Sequence, residues 1–295
     1  MRMTNSEKVF NITNISFFVL FSIICIYPFI YVTALAFNDG VDAMRGGIYF
    51  LPRVWTLKNF ITIFQDKRLF TSFLISVFRT VVGTSLSVVL NSCFAFAVAK
   101  RDLPGRKFIN WFILVPMYFG GGIIPFYLVC KMLHLTNNLL VYIIPGLITP
   151  FYILLLRVFY LGMSDSLEES AIIDGAGYFT IFFKLYFPLS VPALATVALL
   201  TGIDHWNDWF TGSVMFYSSK MWPLQTLLLN IVQGSDILQF LKGEAINSSM
   251  AKKPLITPES IKMAVLVVTV VPIVIVYPFL QKYFVKGMMI GSIKG

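Results

Sequence analysis

The run Asp204-His205-Trp206-Asn207-Asp208-Trp209 holds the densest set of chemically capable side chains in this sequence. Asp204 and Asp208 stand four residues apart, a spacing that puts both carboxylates on one helix face. Acid–base catalysis would need a second group at the same depth. No Ser/His pair, second Asp pair or His-metal cluster is evident. The only other histidine, His134, falls in a different loop, so His205 is not read as a base or a metal ligand. Aromatic faces combined with planar polar groups suit a sugar, which presents ring C–H and hydroxyls together. Trp206, Asn207, Asp208 and Trp209 supply those types, and Tyr118, Tyr127 and Tyr152 could extend the path. The alternative is that Trp206 and Trp209 only anchor a helix end at a membrane interface. Arg79 and Asn91 lie within an apolar segment, where ionisable and polar groups normally face protein or water.

A second cluster is acidic. Asp165, Glu168, Glu169 and Asp174 stand against Lys184 in a polar stretch between two apolar segments. Asp165 with Glu168, and Ser166 with Glu169, fit capping-box spacing. Carboxylates in a first turn also suit the helix dipole. Leu167, Ala171, Asp174 and Tyr178 follow i, i+4, i+7, i+11 and are expected on one face. Gly175 permits a turn or a close backbone approach. A second amphipathic piece, Tyr178 to Leu185, leads to Pro188. The net negative charge suits a basic partner. An ordinary surface helix between two spans is the bland alternative.

The elements around these clusters belong in a membrane. Of 295 residues, 57% are hydrophobic and 13% charged, and mean hydropathy is +0.79. Soluble domains carry nearer ~25% charged residues. Crossing a bilayer takes about 20 apolar residues. Six segments qualify: about 15–37, 72–98, 108–130, 139–160, 189–211 and 263–281. Their long unbroken runs exclude a lipid-facing barrel, so the expected fold is all-α with six spans in a single transmembrane domain, residues 1–295. The first segment reads as a retained span rather than a cleavable signal. The net charge of +9 is spread among loops, unlike a nucleic-acid-binding face. Cys25, Cys93 and Cys130 all lie in apolar segments and read as small hydrophobes.

With six spans, both termini share a side. The short loop Lys100-Arg101-Asp102-Leu103-Pro104-Gly105-Arg106-Lys107 is strongly basic, which places it and both termini in the cytoplasm. Long loops 38–71 and 212–262 then lie outside. The first carries a short amphipathic patch, Leu57 to Phe64. The second has helical apolar spacing over 222–241 and a polar link over 242–258. Gly120-Gly121-Gly122, between Pro116 and Pro125, interrupts the third span. Such breaks either line a pathway or allow tight packing.

Glu169, Ala171, Asp174, Gly175 and Pro188 match the pattern of the cytoplasmic coupling loop of ABC importer permeases, with Ser170 and Phe187 departing conservatively. The chain resembles permeases of the maltose-type carbohydrate group over essentially its whole length, with a look of the lipo-oligosaccharide and uronate-oligosaccharide types. That resemblance implies a type I importer permease fold with a coupling loop over 161–188. Leu167, Glu168, Glu169, Ala171, Asp174, Gly175 and Tyr178 would dock a separate ABC ATPase dimer. The ending around Tyr277-Pro278 and Gly287 to Gly295 resembles a tail that reaches between ATPase subunits, with Gly287, Gly291, Lys294 and Gly295 in it; a frayed end is the alternative. The partners implied are a second permease, an extracytoplasmic solute-binding protein and a sugar, in the cytoplasmic membrane of a prokaryote. The chain has no Walker A pattern. It is therefore expected to be no enzyme and to hold no cofactor, with ATP and magnesium bound by the partner. The competing expectation is an ion-coupled secondary transporter.

Overall fold

The computed structural model describes residues 4–234 and 256–292, with side chains as far as 278. The described residues are mostly helical, with one isolated bridge between Asn38 and Trp55. Single helices long and apolar enough to cross a membrane are α1 (Asn5–Ala36), α3 (Lys67–Ala99) and Pro258–Pro278, the first part of the last helix. Three further candidates are bent pairs. Arg106–Tyr118 (α4) meets Ile123–Met132 (α5) at 119°, Leu139–Gly146 meets Pro150–Leu161 (α6) at 45°, and Tyr178–Leu189 meets Val191–Asn207 (α8) at 79°. Between α6 and α8 lies α7, Asp165–Ile173.

The chain forms two compact units. One comprises residues 1–67 and 228–271. Its α1 starts with a complete capping box between Thr4 and Glu7. Nearly all of α1 is exposed and apolar; only Ala34, Leu35 and Ala36 are buried. A helix that is apolar all round finds its solvent in lipid or another protein. Below it, Asn38 is a hub. Its Oδ1 accepts from the backbone N–H groups of Arg53 (2.8 Å) and Val54 (2.9 Å). Its Nδ2 donates to Asp42 Oδ2 at 3.1 Å.

The expected amphipathic patch is α2, Lys58–Gln65, but its inner face is not its most apolar one. Asn59, Thr62 and Ile63 are buried, while Ile61 and Phe64 are exposed. The reason is hydrogen bonding: Asn59 Nδ2 donates to Ala36 O (2.8 Å) and Asn38 O (2.9 Å), carbonyls at and just past the end of α1. Buried carbonyls need a donor, so the amide decides the orientation.

The other unit comprises residues 68–227 and 272–295. Along α3 the buried stripe is Ser72, Ser76, Arg79, Gly83, Ser87, Asn91 and Ala95, while Leu74, Phe78, Val81 and Phe94 point outward. Small and polar residues inside allow close helix approach where lipid gives no reason to hide leucine.

The bends follow from local chemistry. Gly122, with φ 80° and ψ −179°, adopts a conformation open essentially to glycine, and ends the link between α4 and α5. The expected third span is therefore two helices with a sharp break. The fourth is broken before Pro150. There Asn91 acts as a staple: its Nδ2 donates to Leu147 O (2.9 Å) and its Oδ1 accepts from Thr149 N–H (2.9 Å). Freed backbone groups within a membrane demand such partners.

The extracytoplasmic-side expectation for 222–241 meets a helix at Leu224–Val232. Leu238, Leu241 and all but the end of the expected 242–258 link lie outside the described residues. The last helix runs on to Ser292, so Gly287 and Gly291 are helical, and Lys294 and Gly295 lie outside the described residues.

Asn59→Ala should destabilise the first unit by about 1–3 kcal/mol, since it strands two buried carbonyls. A melting curve of the purified protein should show this, with Asn59→Asp giving no recovery because a carboxylate cannot donate.

Candidate functional site

Two places in the second unit gather functional side chains. The first is the end carrying the loop after α3 and the helix α7. Lys100 directly follows α3 and lies over three rings: its Nζ is 4.0 Å from the Phe96 centroid, 4.9 Å from Tyr186 and 5.8 Å from Tyr178. Ring faces attract a cation, and the C-terminal end of a helix does too. Lys100 also forms an ion pair with Glu168 of α7. Tyr186 Oη donates to the same carboxylate oxygen at 2.8 Å. Both ion-pair side chains are mostly buried, 16% and 17% exposed.

This geometry corrects the expected helix start. The N-cap of α7 is Ser164, with no side-chain cap bond. Glu168 is not a capping residue because Lys100 and Tyr186 hold it. The helix ends one turn before Tyr178. Gly175 N–H bonds Ile172 O and Ala176 N–H bonds Ala171 O, both at 2.9 Å, with Gly175 at φ 79°. This paired pattern is a Schellman stop. Tyr178 thus starts the next segment and does not continue the face of Leu167, Ala171 and Asp174.

The acidic charge is also smaller than counting suggests. Glu168 is paired with Lys100, and Asp165 lies 3.5 Å from Arg101 in an exposed pair. What faces outward is Glu169 and Asp174 together with apolar Leu167, Ile172, Ile173, Tyr178 and Phe179. Ile173 and Phe179 are 85% and 81% exposed. Ala171 and Ala176 turn inward against the aromatic core of Phe96, Tyr160, Phe182 and Tyr186. A π-helical turn over Phe182–Tyr186 brings Tyr186 to this core, and such turns recur at functional sites.

The second place is a cavity of about 320 Å³, lined by Arg79, Phe126, Tyr142, Thr149, Tyr152, Thr201, Asp204, His205 and Asp208, among others. Arg79 is 2% exposed. Its guanidinium reaches Asp208 through two bonds, Nη2 to Oδ2 at 2.5 Å and Nη1 to the backbone O at 3.0 Å. The Tyr142 ring lies 4.6 Å from its Cζ. Asp208 caps the next short helix by accepting from Thr211 N–H at 3.0 Å. Tyr152 Oη donates to Asp204 Oδ2 at 2.8 Å. With Arg79 committed to Asp208, the uncompensated charge is that of Asp204, which remains exposed. His205 is packed where a side chain on Gly83 would intrude: a Cβ there would sit 2.5 Å from Nε2.

The cavity therefore unites Tyr152, Asp204 and Asp208 from the sequence-based candidates. It does not include Tyr118, Trp206, Asn207 or Trp209. Trp206 points about 200° away from Asp204 at ~100° per residue and lines an apolar groove instead, edge-on to Phe73. Asn207 accepts from Gln225 Nε2 at 3.1 Å. Trp209 is half exposed beside Phe210, and Tyr118 is 79% exposed on α4. Sequence reasoning missed Tyr142, Thr149 and Thr201. It also took Lys100 only as a topology signal. The sequence placed Arg79 in an apolar segment without naming its partner, which the structure supplies as Asp208. Among the described residues no group of His, Cys, Asp and Glu could hold a metal ion.

Comparison with known proteins supplies context for both places. The family model described as binding-protein-dependent transport system inner membrane component matches residues 48–290. The polygalacturonan/rhamnogalacturonan transport system permease protein YtcP of Bacillus subtilis is 37% identical over 289 residues, 98% of this chain and 99% of that one. Protein LplC of Bacillus subtilis is 35% identical, covering 100% of this chain and 98% of that one. A crystal structure of a bacterial ABC transporter involved in the import of the acidic polysaccharide alginate contains a similar chain. Its TM-score is 0.88 at 30% identity, covering 96% of this chain and 99% of that one.

Gly83→Ala should force His205 to shift, and overpacking of this kind costs about 1–3 kcal/mol. The variant should melt earlier than the parent, whereas Gly105→Ala, which meets no atom within 4 Å, should not show a packing loss of that origin. The Gly105 position carries its own positive-φ cost (φ 73°), so Gly105→Asn, a residue tolerant of that region, is the matched control.

Proposed function

This chain belongs to the binding-protein-dependent transport system inner membrane component family, and from that premise we propose that it is the membrane-embedded permease subunit of an ATP-driven ABC importer for oligosaccharides. The reading is supported by relatives named for polygalacturonan and rhamnogalacturonan transport and by likeness to an alginate importer. ATP and magnesium bind a separate ATPase dimer. A second permease completes the path, and an extracytoplasmic binding protein delivers the sugar. Both termini and α7 face the cytoplasm.

One observation carries the docking role: α7 has no buried residue, yet it presents apolar Ile172 and Ile173 beside Glu169 and Asp174. Exposed apolar side chains rimmed by charge mark a protein interface. Glu169 and Asp174 offer the free carboxylates, and Gly175 sets the turn that brings Phe179 alongside. Glu168 has an internal role, argued below. The tail over 287–295 is retained as a second contact with the ATPase, on the family resemblance alone.

The cavity is the proposed stretch of path in this subunit. Asp204 and the Tyr152 hydroxyl offer hydrogen bonds to sugar hydroxyls, and Phe126 offers an aromatic face, while Tyr142, stacked between Arg79 and Phe216, shapes the wall. Asp208 is held by Arg79 and shapes the wall. Trp206, Asn207, Trp209 and Tyr118 stand outside this cavity and are not proposed as ligands. An ion-coupled mechanism has no support from the family, and one of its two candidate carboxylates is already paired.

Glu169→Lys and Ile173→Asp should each abolish transport and ATPase co-purification while membrane insertion stays normal. Wild-type uptake in both would sink the docking assignment. Asp204→Asn should leave ATPase recovery intact but raise the half-saturating concentration for uptake about tenfold, as expected for loss of a hydrogen bond to a charged group. The test sugar is whatever the co-purified binding protein retains; unchanged saturation would remove the cavity from the path.

A further inference from the structure

The docking helix poses a mechanical problem. A nine-residue helix with no buried residue has little by which to move the spans. Its side-chain ties to the rest of the unit are few. The Arg101–Asp165 pair is 75% and 69% exposed at 3.5 Å, and exposed pairs of this kind hold weakly. Ala171 packs only partly against the core. Glu168 is different: it is bound at once by Lys100, at the end of α3, and by Tyr186, on the segment leading into α8. The Lys100 ammonium is in turn caged by Phe96 and Tyr186. Tyr186 packs edge-on against Phe96 and Tyr160, and the Tyr160 hydroxyl is hydrogen-bonded to Ser92 of α3 at 2.5 Å.

We propose that Lys100, Glu168 and Tyr186 form a latch that fixes α7 to α3 and to the entry of α8, so that movement of the docking helix is passed to the spans as a rigid-body shift. The inference rests on α7 being the ATPase contact. Glu169 meets the partner, and the adjacent Glu168 meets the chain's own spans. Lys100 and Glu168 are positioning residues. They touch neither sugar nor nucleotide. Removing one charge leaves the other mostly buried without its partner. The aromatic cage favours only a cation at position 100, so exchanging the two charges should not restore the latch, whereas Lys100→Arg should.

The test uses the full complex with its second permease and ATPase, in lipid nanodiscs, with Cys25, Cys93 and Cys130 replaced by alanine. Spin labels at Ser166→Cys on α7 and Phe94→Cys on α3, both exposed positions, report their separation. ATP with vanadate is the only probe added. The parent should keep one narrow distance with and without nucleotide, because α7 and α3 move together. Lys100→Met and Glu168→Gln should retain the ATPase but lose the single distance once nucleotide is trapped. The double variant should match the single ones, since a shared interaction can be lost only once. Lys100→Arg should behave as the parent. A latch that merely stabilised the fold would change melting and leave the trapped distance unaltered. One narrow distance in both single variants overturns the latch while leaving the docking reading intact. Failure of the parent to hold any ATPase overturns the docking reading and the latch with it.

Discussion

Every unusual feature of this chain traces to one constraint: polar groups in an apolar medium must find partners within the protein. The constraint turns the usual pattern inside out. On α3 the serines, Arg79, Gly83 and Asn91 face inward while leucine, phenylalanine and valine face out. Neither placement would be stable in water. In lipid the outward leucines cost nothing, and the inward polar groups become the specific contacts. Arg79 illustrates the stakes. An unpaired guanidinium at 2% exposure would be strongly unfavourable, so Asp208 and its carbonyl are fixed opposite it, and the end of α8 with them.

The same constraint permits the breaks. Helices that cross straight satisfy their own backbones and leave no room for a polar path. Breaks before Pro150 and at Gly122 free backbone groups, and at the first of these Asn91 takes them up. The break also aims Thr149 and Tyr152 at the cavity, with Phe126 supplied from beyond the glycine run. Of the two readings open for that glycine run, tight packing finds no support among the described residues, since a side chain at Gly120 or Gly122 would meet open space. The bend that lets backbones turn is the bend that places a ring at the cavity.

How much of this was legible depends on whether a signal was local. Long apolar runs announced helices, and Gly175 announced a turn. The end of α7 was misjudged because the i, i+4 spacing of Leu167, Ala171, Asp174 and Tyr178 is periodic straight through a Schellman stop, and periodicity does not report left-handed backbone. Trp206 was grouped with Asp204 by adjacency, though helix geometry separates them. Glu168 was read as a cap because its partner lies 68 residues away, in a loop whose basic character already had an explanation in topology. Pairings of that kind are set by how spans pack, which one sequence does not display. The polar inner face of α2 was not legible for another reason: the pattern showed only an amphipathic piece, and the Asn59 amide sets which side turns inward.

Two neighbouring glutamates show how this chain separates tasks that composition would merge. Glu168 and Glu169 differ by one position, about 100° around a helix. That rotation takes one carboxylate into an aromatic cage with Lys100 and leaves the other in water. The acidity of the loop was first a reason to expect a basic partner, yet half of its carboxylates are already answered within the chain. What is left outward is two carboxylates set among isoleucine, leucine and phenylalanine. Binding strength at such a surface comes mainly from buried apolar anchors, and charge at the rim chiefly governs orientation and choice of partner. In the proposed docking role, a face made this way can be tight without strong electrostatics, and the proposed latch would pass its movement to the spans through one charge it does not display.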